Sequence, residues 1–339
     1  MSNSSRRHFA ALTAALVFFL PCAQTTASTV EVIGDTKFER GFSVREDNKA
    51  GSPPVRWKEA GDPVWALTHH HSKSSFDNRE HFQFRKEGLT FDDGFTLLDV
   101  HPLGGDADVV LGLDADKEYG GVYRQKGDPW PHVYLTQRIS GSSGHLGPDA
   151  PSLAAMERID FSMSVKLLYD RANPKVGRIR SVHAAQFILF FTIQNLNRQS
   201  EGHGDYYWFG IALYDDREPV TFLHVMQDKG TPKKKGTDKL IYNIGVKPFT
   251  SEVVADGRWV TIRGDVLPYI LAGLREAWKQ GYLQVSQNLS DYRIGGLVMG
   301  WEIPGLNNAA VAVKDLRATA AISTPEPATP GPGPEAQWN

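Results

Sequence analysis

Between residues 61 and 322 the chain runs in short stretches rich in Val, Ile, Phe, Tyr and Trp, separated by clusters of Gly, Pro, Asp and Asn. Runs of that length and composition, bounded by turn formers, signal β-strands. The pattern predicts strands at 64–69, 80–84, 95–100, 109–113, 132–139, 157–168, 184–194, 206–214, 221–226, 239–246, 259–263, 295–303 and 309–320. One segment follows a different period. In 265–282, Val266, Ile270, Leu274 and Trp278 recur every four residues, the mark of an amphipathic helix. Asp265 stands where an N-cap belongs, Pro268 falls in the first turn, and Gly281 closes the helix. No repeat of fixed period occurs, which argues against a propeller or a solenoid. Many strands with no helices between them define a mainly β protein. The expected fold is a two-sheet antiparallel β-sandwich, a jelly roll, with one helix near 265–282.

Alternation then sorts each strand into two faces. Along 157–168, Ile159, Phe161, Met163, Val165 and Leu167 form a core face, and Asp160 lies on the other. Along 132–139, Val133, Leu135 and Ile139 are opposed by His132, Tyr134, Thr136 and Arg138. Along 206–214, Tyr207, Phe209, Ile211 and Leu213 are opposed by Tyr206, Trp208, Gly210, Ala212 and Tyr214. Along 295–303, Leu297, Met299, Trp301 and Ile303 are opposed by Val298, Gly300 and Glu302. Gln186, Thr192 and Gln194 share one face of 184–194, and Asn243 lies on the polar face of 239–246. The second faces thus combine aromatic rings, polar groups and small residues. A merely solvated face would favour Lys, Glu and Thr with few rings.

The two ends add a location. Arg6 and Arg7, an apolar run from Phe9 to Leu20, Pro21 and the small residues Thr25 to Ser28 follow the order of a secretory signal over residues 1–27. The apolar run of about 12 residues is too short to span a bilayer, which needs about 20. Ser5-Arg6-Arg7-His8-Phe9 resembles a twin-arginine export motif, so that route and the ordinary one both stay open. The expected product is secreted or periplasmic, with no membrane attachment after signal removal. Residues 28–60 read as an N-terminal arm with one or two edge strands, 61–322 as the sandwich, and 323–339 as a Pro-rich disordered tail.

Cys22, the only cysteine, falls inside the signal. The mature chain therefore has no disulfide, no cysteine metal site and no thiol nucleophile. A formal net charge of −2 gives no global attraction for nucleic acid, and Lys233-Lys234-Lys235, flanked by Gly230 and Gly236, reads as a solvated loop tip. No phosphate-binding Gly loop and no Gly-x-Ser-x-Gly elbow is present. A monomer is expected.

A curved sheet whose concave side carries rings and polar groups suits a polysaccharide or oligosaccharide, because aromatic faces cover the apolar side of a pyranose. The arrangement over roughly 60–322 resembles the concanavalin A-like jelly rolls, which include glycan hydrolases, lyases and lectins. The resemblance is architectural, and the Glu-x-Asp-x-x-Glu motif of one retaining-glucanase family is absent. It implies three readings. Hydrolysis needs two carboxyl groups. Glu302, whose apolar neighbours would raise its pKa for general-acid work, is the first candidate, and Asp160 is its partner by face. Elimination on a uronic-acid polymer needs a base and groups that neutralise the substrate carboxylate. His132, Tyr134 and Arg138 share one strand face for that purpose, with amides from Gln186, Gln194 and Asn243. The Gln-Ile-His triplet of alginate-lyase-like jelly rolls is absent, and Thr192-Ile193-Gln194 stands instead. The third reading is a lectin-like or adhesive domain that binds through Tyr206, Trp208 and Tyr214 without cleaving.

Two metal patterns complete the candidates. Asp114, Asp116 and Glu118 form an oxygen-rich stretch of the kind that holds structural Ca²⁺. His69-His70-His71 resembles a transition-metal cluster, but alternation sends His69 and His71 to one face and His70 to the other, so a further ligand such as His81 or His101 is required.

Overall fold

A computed structural model describes residues 28–46, 52–231 and 233–323. The signal segment 1–27 and the tail from 324 onward lie outside the described residues. In chain order the strands are β1 (Ser28–Glu31), β2 (Phe42–Glu46), β3 (Trp65–His70), β4 (Phe82–Arg85), β5 (Gly88–Asp92), β6 (Thr96–Val100), β7 (Val109–Asp114), β8 (His132–Arg138) and β9 (Met156–Ala172). They continue with β10 (Gln186–Asn195), β11 (Tyr206–Asp215), β12 (His224–Gln227), β13 (Gly230–Thr231), β14 (Lys234–Lys235), β15 (Leu240–Asn243), β16 (Val260–Asp265), β17 (Tyr292–Glu302) and β18 (Asn307–Ile322). Two α-helices join them, the single-turn α1 (Ala115–Glu118) and the amphipathic α2 (Leu267–Lys279).

Sixteen of these strands form two eight-stranded sheets, and β13 pairs with β14 in a separate hairpin. One sheet runs β16-β9-β18-β7-β6-β5-β4, with β1 added on β18; the other runs β12-β15-β11-β10-β17-β8-β3-β2. Pairing is antiparallel except for β11 with β15 and β2 with β3. The architecture is the mainly β, two-sheet sandwich of jelly-roll type that the alternation predicts. Residues 28–46 supply β1 and the edge strand β2, one to each sheet. β5 escaped the sequence pattern because Gly88 opens it and only Leu89 and Phe91 carry its buried face.

The core lies between the sheets. Phe161, Met163 and Val165 of β9 face Phe187, Leu189 and Phe191 of β10, Phe209 and Ile211 of β11, and Met299 and Trp301 of β17, all essentially inaccessible. Full burial of a large apolar side chain is worth about 1.5–3 kcal/mol. Trp301 also ties the sheets together: its indole Nε1 donates to the Leu111 carbonyl at 2.8 Å. α2 packs Ile270 and Leu274 inward, and the Tyr207 hydroxyl donates to the Ile270 carbonyl. The N-cap position falls on Val266 and not on Asp265, one residue earlier, whose Oδ1 still accepts from Leu267 N and from Ile159 N, both at 3.0 Å. No helix among the described residues is long and apolar enough to cross a membrane.

Candidate functional site

The outer face of the β12-to-β2 sheet carries the second faces identified above, and its register aligns them in rows. Strands lie about 4.8 Å apart, and same-face residues on one strand about 6.8 Å apart. The first row crosses His70, His132, Glu302, Gln186 and Asp215. The next crosses Arg45, Thr68, Tyr134, Gly300 and Ile188. Another crosses Arg138, Gly296, Thr192, Trp208 and Ile241. A groove of about 890 Å³ lies over these rows.

Glu302 is the chemical centre. Its side chain keeps 23% exposure. The Tyr134 hydroxyl donates to Oε1 at 2.8 Å, the Trp130 indole donates to Oε2 at 3.3 Å, and His132 Nε2 stands 3.6 Å from Oε2. Burial by itself would raise the Glu302 pKa, but His132 and then the Tyr134 and Trp130 donors outweigh it and hold the carboxyl below its ordinary value. The expectation of a proton-bearing general acid is therefore corrected: the apolar residues flanking Glu302 in sequence face the core, and polar donors surround it instead. Tyr134 shifts the other way. Burial first, and the Glu302 charge second, push its phenol well above the ordinary value, so it stays a donor. His132 and Tyr134 stack with ring centroids 5.5 Å apart, and His132 Nδ1 is buried with no hydrogen-bond partner. Gly300 makes the cluster feasible. A Cβ there would lie 2.0 Å from the Val133 carbonyl and 3.0 Å from the Tyr134 ring.

The structure brings Glu302, His132, Tyr134, Arg138, Gln186 and Trp208 to one groove. Gln186 Nε2 donates to Asp215 Oδ2 at 2.7 Å, and Trp208 Nε1 to Thr237 Oγ1 at 3.3 Å. Tyr206 stands beside Trp208, ring centroids 5.2 Å apart, under the Lys239 ammonium. Gln194 borders a neighbouring cavity of about 710 Å³ and donates to the Gly204 carbonyl.

Other expected members do not join the site. Asp160 lies on β9 in the opposite sheet, half-exposed and bound to Arg158. Period-two alternation identifies a strand's outer face but not which sheet holds the strand. Tyr214 faces the core against Trp301, because a bulge pairs Phe187 with Tyr214 but Ile188 with Ala212 and shifts the alternation by one. Asn243 is a backbone clamp: its Oδ1 accepts from Ala212 N and Gly245 N.

The metal patterns also resolve differently. Asp114 accepts from Lys117 N and Asn308, Asp116 from Asn173, and Glu118 from Lys73 N and Ser72. These carboxylates diverge onto protein donors, and no group of three or more metal-ligating residues converges among the described residues. The triple-histidine alternation is overturned at His71, whose φ of 55° turns it to the groove with His70 while His69 is buried.

Several groove residues were missed. Trp130 lies in a loop with no strand period, fixed by Arg124 stacked 4.9 Å over its ring. Arg45 belongs to β2, one of the edge strands expected within the arm, but was not singled out there. The basic run is an exposed hairpin end as expected, and it also reaches the groove: Lys235 borders it from the β13–β14 hairpin, and Lys233 pairs with Asp128 in the Trp130 loop. The bracketing glycines were the available signal for that hairpin.

No protein-family model matches the chain, and no curated protein matches it. Among solved structures it is similar to a thermostable cellulase derived from that of Rhodothermus marinus, at 11% identity over 76% of this chain and 99% of that one, TM-score 0.34. It is also similar to a family 12 xyloglucanase from Bacillus licheniformis, at 9% identity over 75% and 99%, TM-score 0.38. A family 11 xylanase from Neocallimastix patriciarum matches at 9% identity over 75% and 98%, TM-score 0.36. Likeness at this level bears on neither the site nor its substrate.

Proposed function

We propose that the protein is exported and that its groove binds an extended polysaccharide and cleaves it beside Glu302. The observation that carries this is a carboxylate held ionised within an aromatic groove by Tyr134, Trp130 and His132. In hydrolysis an ionised Glu302 serves as nucleophile or as base towards water, not as the initial acid. Asp228 is a second carboxylate bordering the groove, where Asp160 is not, and its Oδ2 accepts from Thr237 N at 3.0 Å and Thr237 Oγ1 at 2.7 Å. Trp208 and Trp130 supply faces for sugar rings, and Gln186 supplies an amide. Export is supported by the charge, apolar run and small residues of 1–27.

Elimination is the second reading, favoured by His132 stacked on Tyr134 and by Arg138 in the same groove. Purified polysaccharides incubated with the protein separate the two. New reducing ends without ultraviolet absorbance indicate hydrolysis, and an absorbing unsaturated end indicates elimination. A polymer that binds but stays intact would leave a lectin-like protein and overturn cleavage.

A further inference from the structure

Several of the protein's arginines are paired with carboxylates. Arg217 pairs with Asp215, Arg178 with Asp216, Arg85 with Asp99 and Arg317 with Glu31. By contrast, no carboxylate among the described residues pairs with Arg45 or Arg138, and Arg138 donates only to Ser143 Oγ, at 2.7 Å. Both guanidinium groups border the main groove and two adjoining cavities of about 710 and 130 Å³, as does Thr136. Burial first, and the Arg138 charge second, lower the Arg45 pKa. Two like charges that border one groove are better accommodated when a ligand brings the counter-charge. The remaining charges bordering the groove are Lys229 and Lys235 against Asp228 and Glu302, so the cations prevail there although the whole chain is −2.

We infer that Arg45 and Arg138 form a subsite for an oxyanion carried on the sugar chain, so that the polysaccharide is anionic. The shared chemistry is a planar or tetrahedral group of oxygens, either a uronate carboxylate or a sulfate ester. Guanidinium forks meet such groups with paired, charge-assisted hydrogen bonds. Arg45 occupies the Tyr134 row, which sets the charged sugar close to the Glu302 cluster. The inference rests on the groove being a polysaccharide site.

Affinity electrophoresis through gels holding a polyuronate, a sulfated galactan or a neutral glucan tests it. The full-length mature protein should be retarded by one anionic polymer, and which one distinguishes carboxylate from sulfate. R45A and R138A should each weaken that retention about tenfold or more, and R138K should restore it only in part. Unchanged melting temperatures verify that the variants are folded. For the unaltered protein, added salt should weaken retention steeply, which needs no variant. Anionic retention that is insensitive to salt and to both variants overturns the subsite. Preference for the neutral glucan, lost in W208A, overturns the subsite while sparing the groove. Retention by none of the three polymers overturns both.

Discussion

Two tyrosine–carboxylate pairs in this protein share one chemistry and have different surroundings. Tyr134 donates to Glu302 at 2.8 Å, and Tyr214 donates to Asp170 at 2.7 Å. In both, burial and the adjoining carboxylate push the phenol up. Tyr214 packs against Trp301 beneath the sheet, and Asp170 is further held by Asn307 Nδ2 at 2.7 Å. That pair joins β9, β11 and the start of β18 into one network and offers nothing to a ligand. Tyr134 and Glu302 instead border an open groove with Trp130 and His132 alongside. The hydrogen bond and the shifted phenol do not mark a functional site. What marks it is a charged group that is satisfied by the protein and still reachable.

The sharpest contrast is expected from removing the charge. E302Q should lower turnover of the cleaved polysaccharide by about 100- to 10,000-fold while retaining binding in affinity electrophoresis. A variant with unaltered turnover would end the catalytic role of Glu302. The Glu302 carboxyl lies below the ordinary glutamate value of about 4.3, so the acid limb it imposes on kcat/KM should fall below that pH. The same depression contributes to stability above the unfolded-state value, and this contribution is lost as pH falls through the folded-state value. An acid limb due to Glu302 at pH 5–6 would contradict the donor set around it.

Y214F should act in the opposite sense. It removes a buried hydrogen bond to a carboxylate, worth about 1–3 kcal/mol, so urea denaturation should show lost stability with kcat/KM unchanged. A selective loss of activity would return Tyr214 to the groove. D160A should do least. The Arg158–Asp160 pair is half-exposed, and such pairs contribute about 0–1 kcal/mol. Turnover and melting temperature should both stay near those of the unaltered protein, and loss of turnover would restore Asp160 as a partner carboxylate.

Much of this was legible along the chain. Local alternation found the core faces of β8, β9 and β17, since a strand with one buried face has little freedom in which residues point inward. It also placed His132, Tyr134 and Glu302 on outward faces. The α2 stripe was legible for the same reason, being set by contacts within a few residues, while its N-cap fell one residue later than Asp265. Legibility ended where a local irregularity reset the period. The bulge opposite Ile188 moved Tyr214 into the core, and the positive φ of His71 brought it to the groove.

The remainder was decided only by pairing between distant segments. Asp160 and Glu302 both lie on outward faces, yet β9 and β17 belong to different sheets, so their carboxylates cannot act together. Arg45 and Arg138 are far apart in sequence and border one groove because β2 closes the sheet edge beside β3 and β8. The pKa direction of Glu302 was decided in the same way. Its sequence neighbours Trp301 and Ile303 suggested an apolar pocket, whereas Trp130, His132 and Tyr134, brought across by β8 and its preceding loop, supply donors. The sequence by itself determined which side of a regular strand is dry, because that depends on residues two apart. The tertiary structure alone decided which wet faces look at one another, because that depends on strand order.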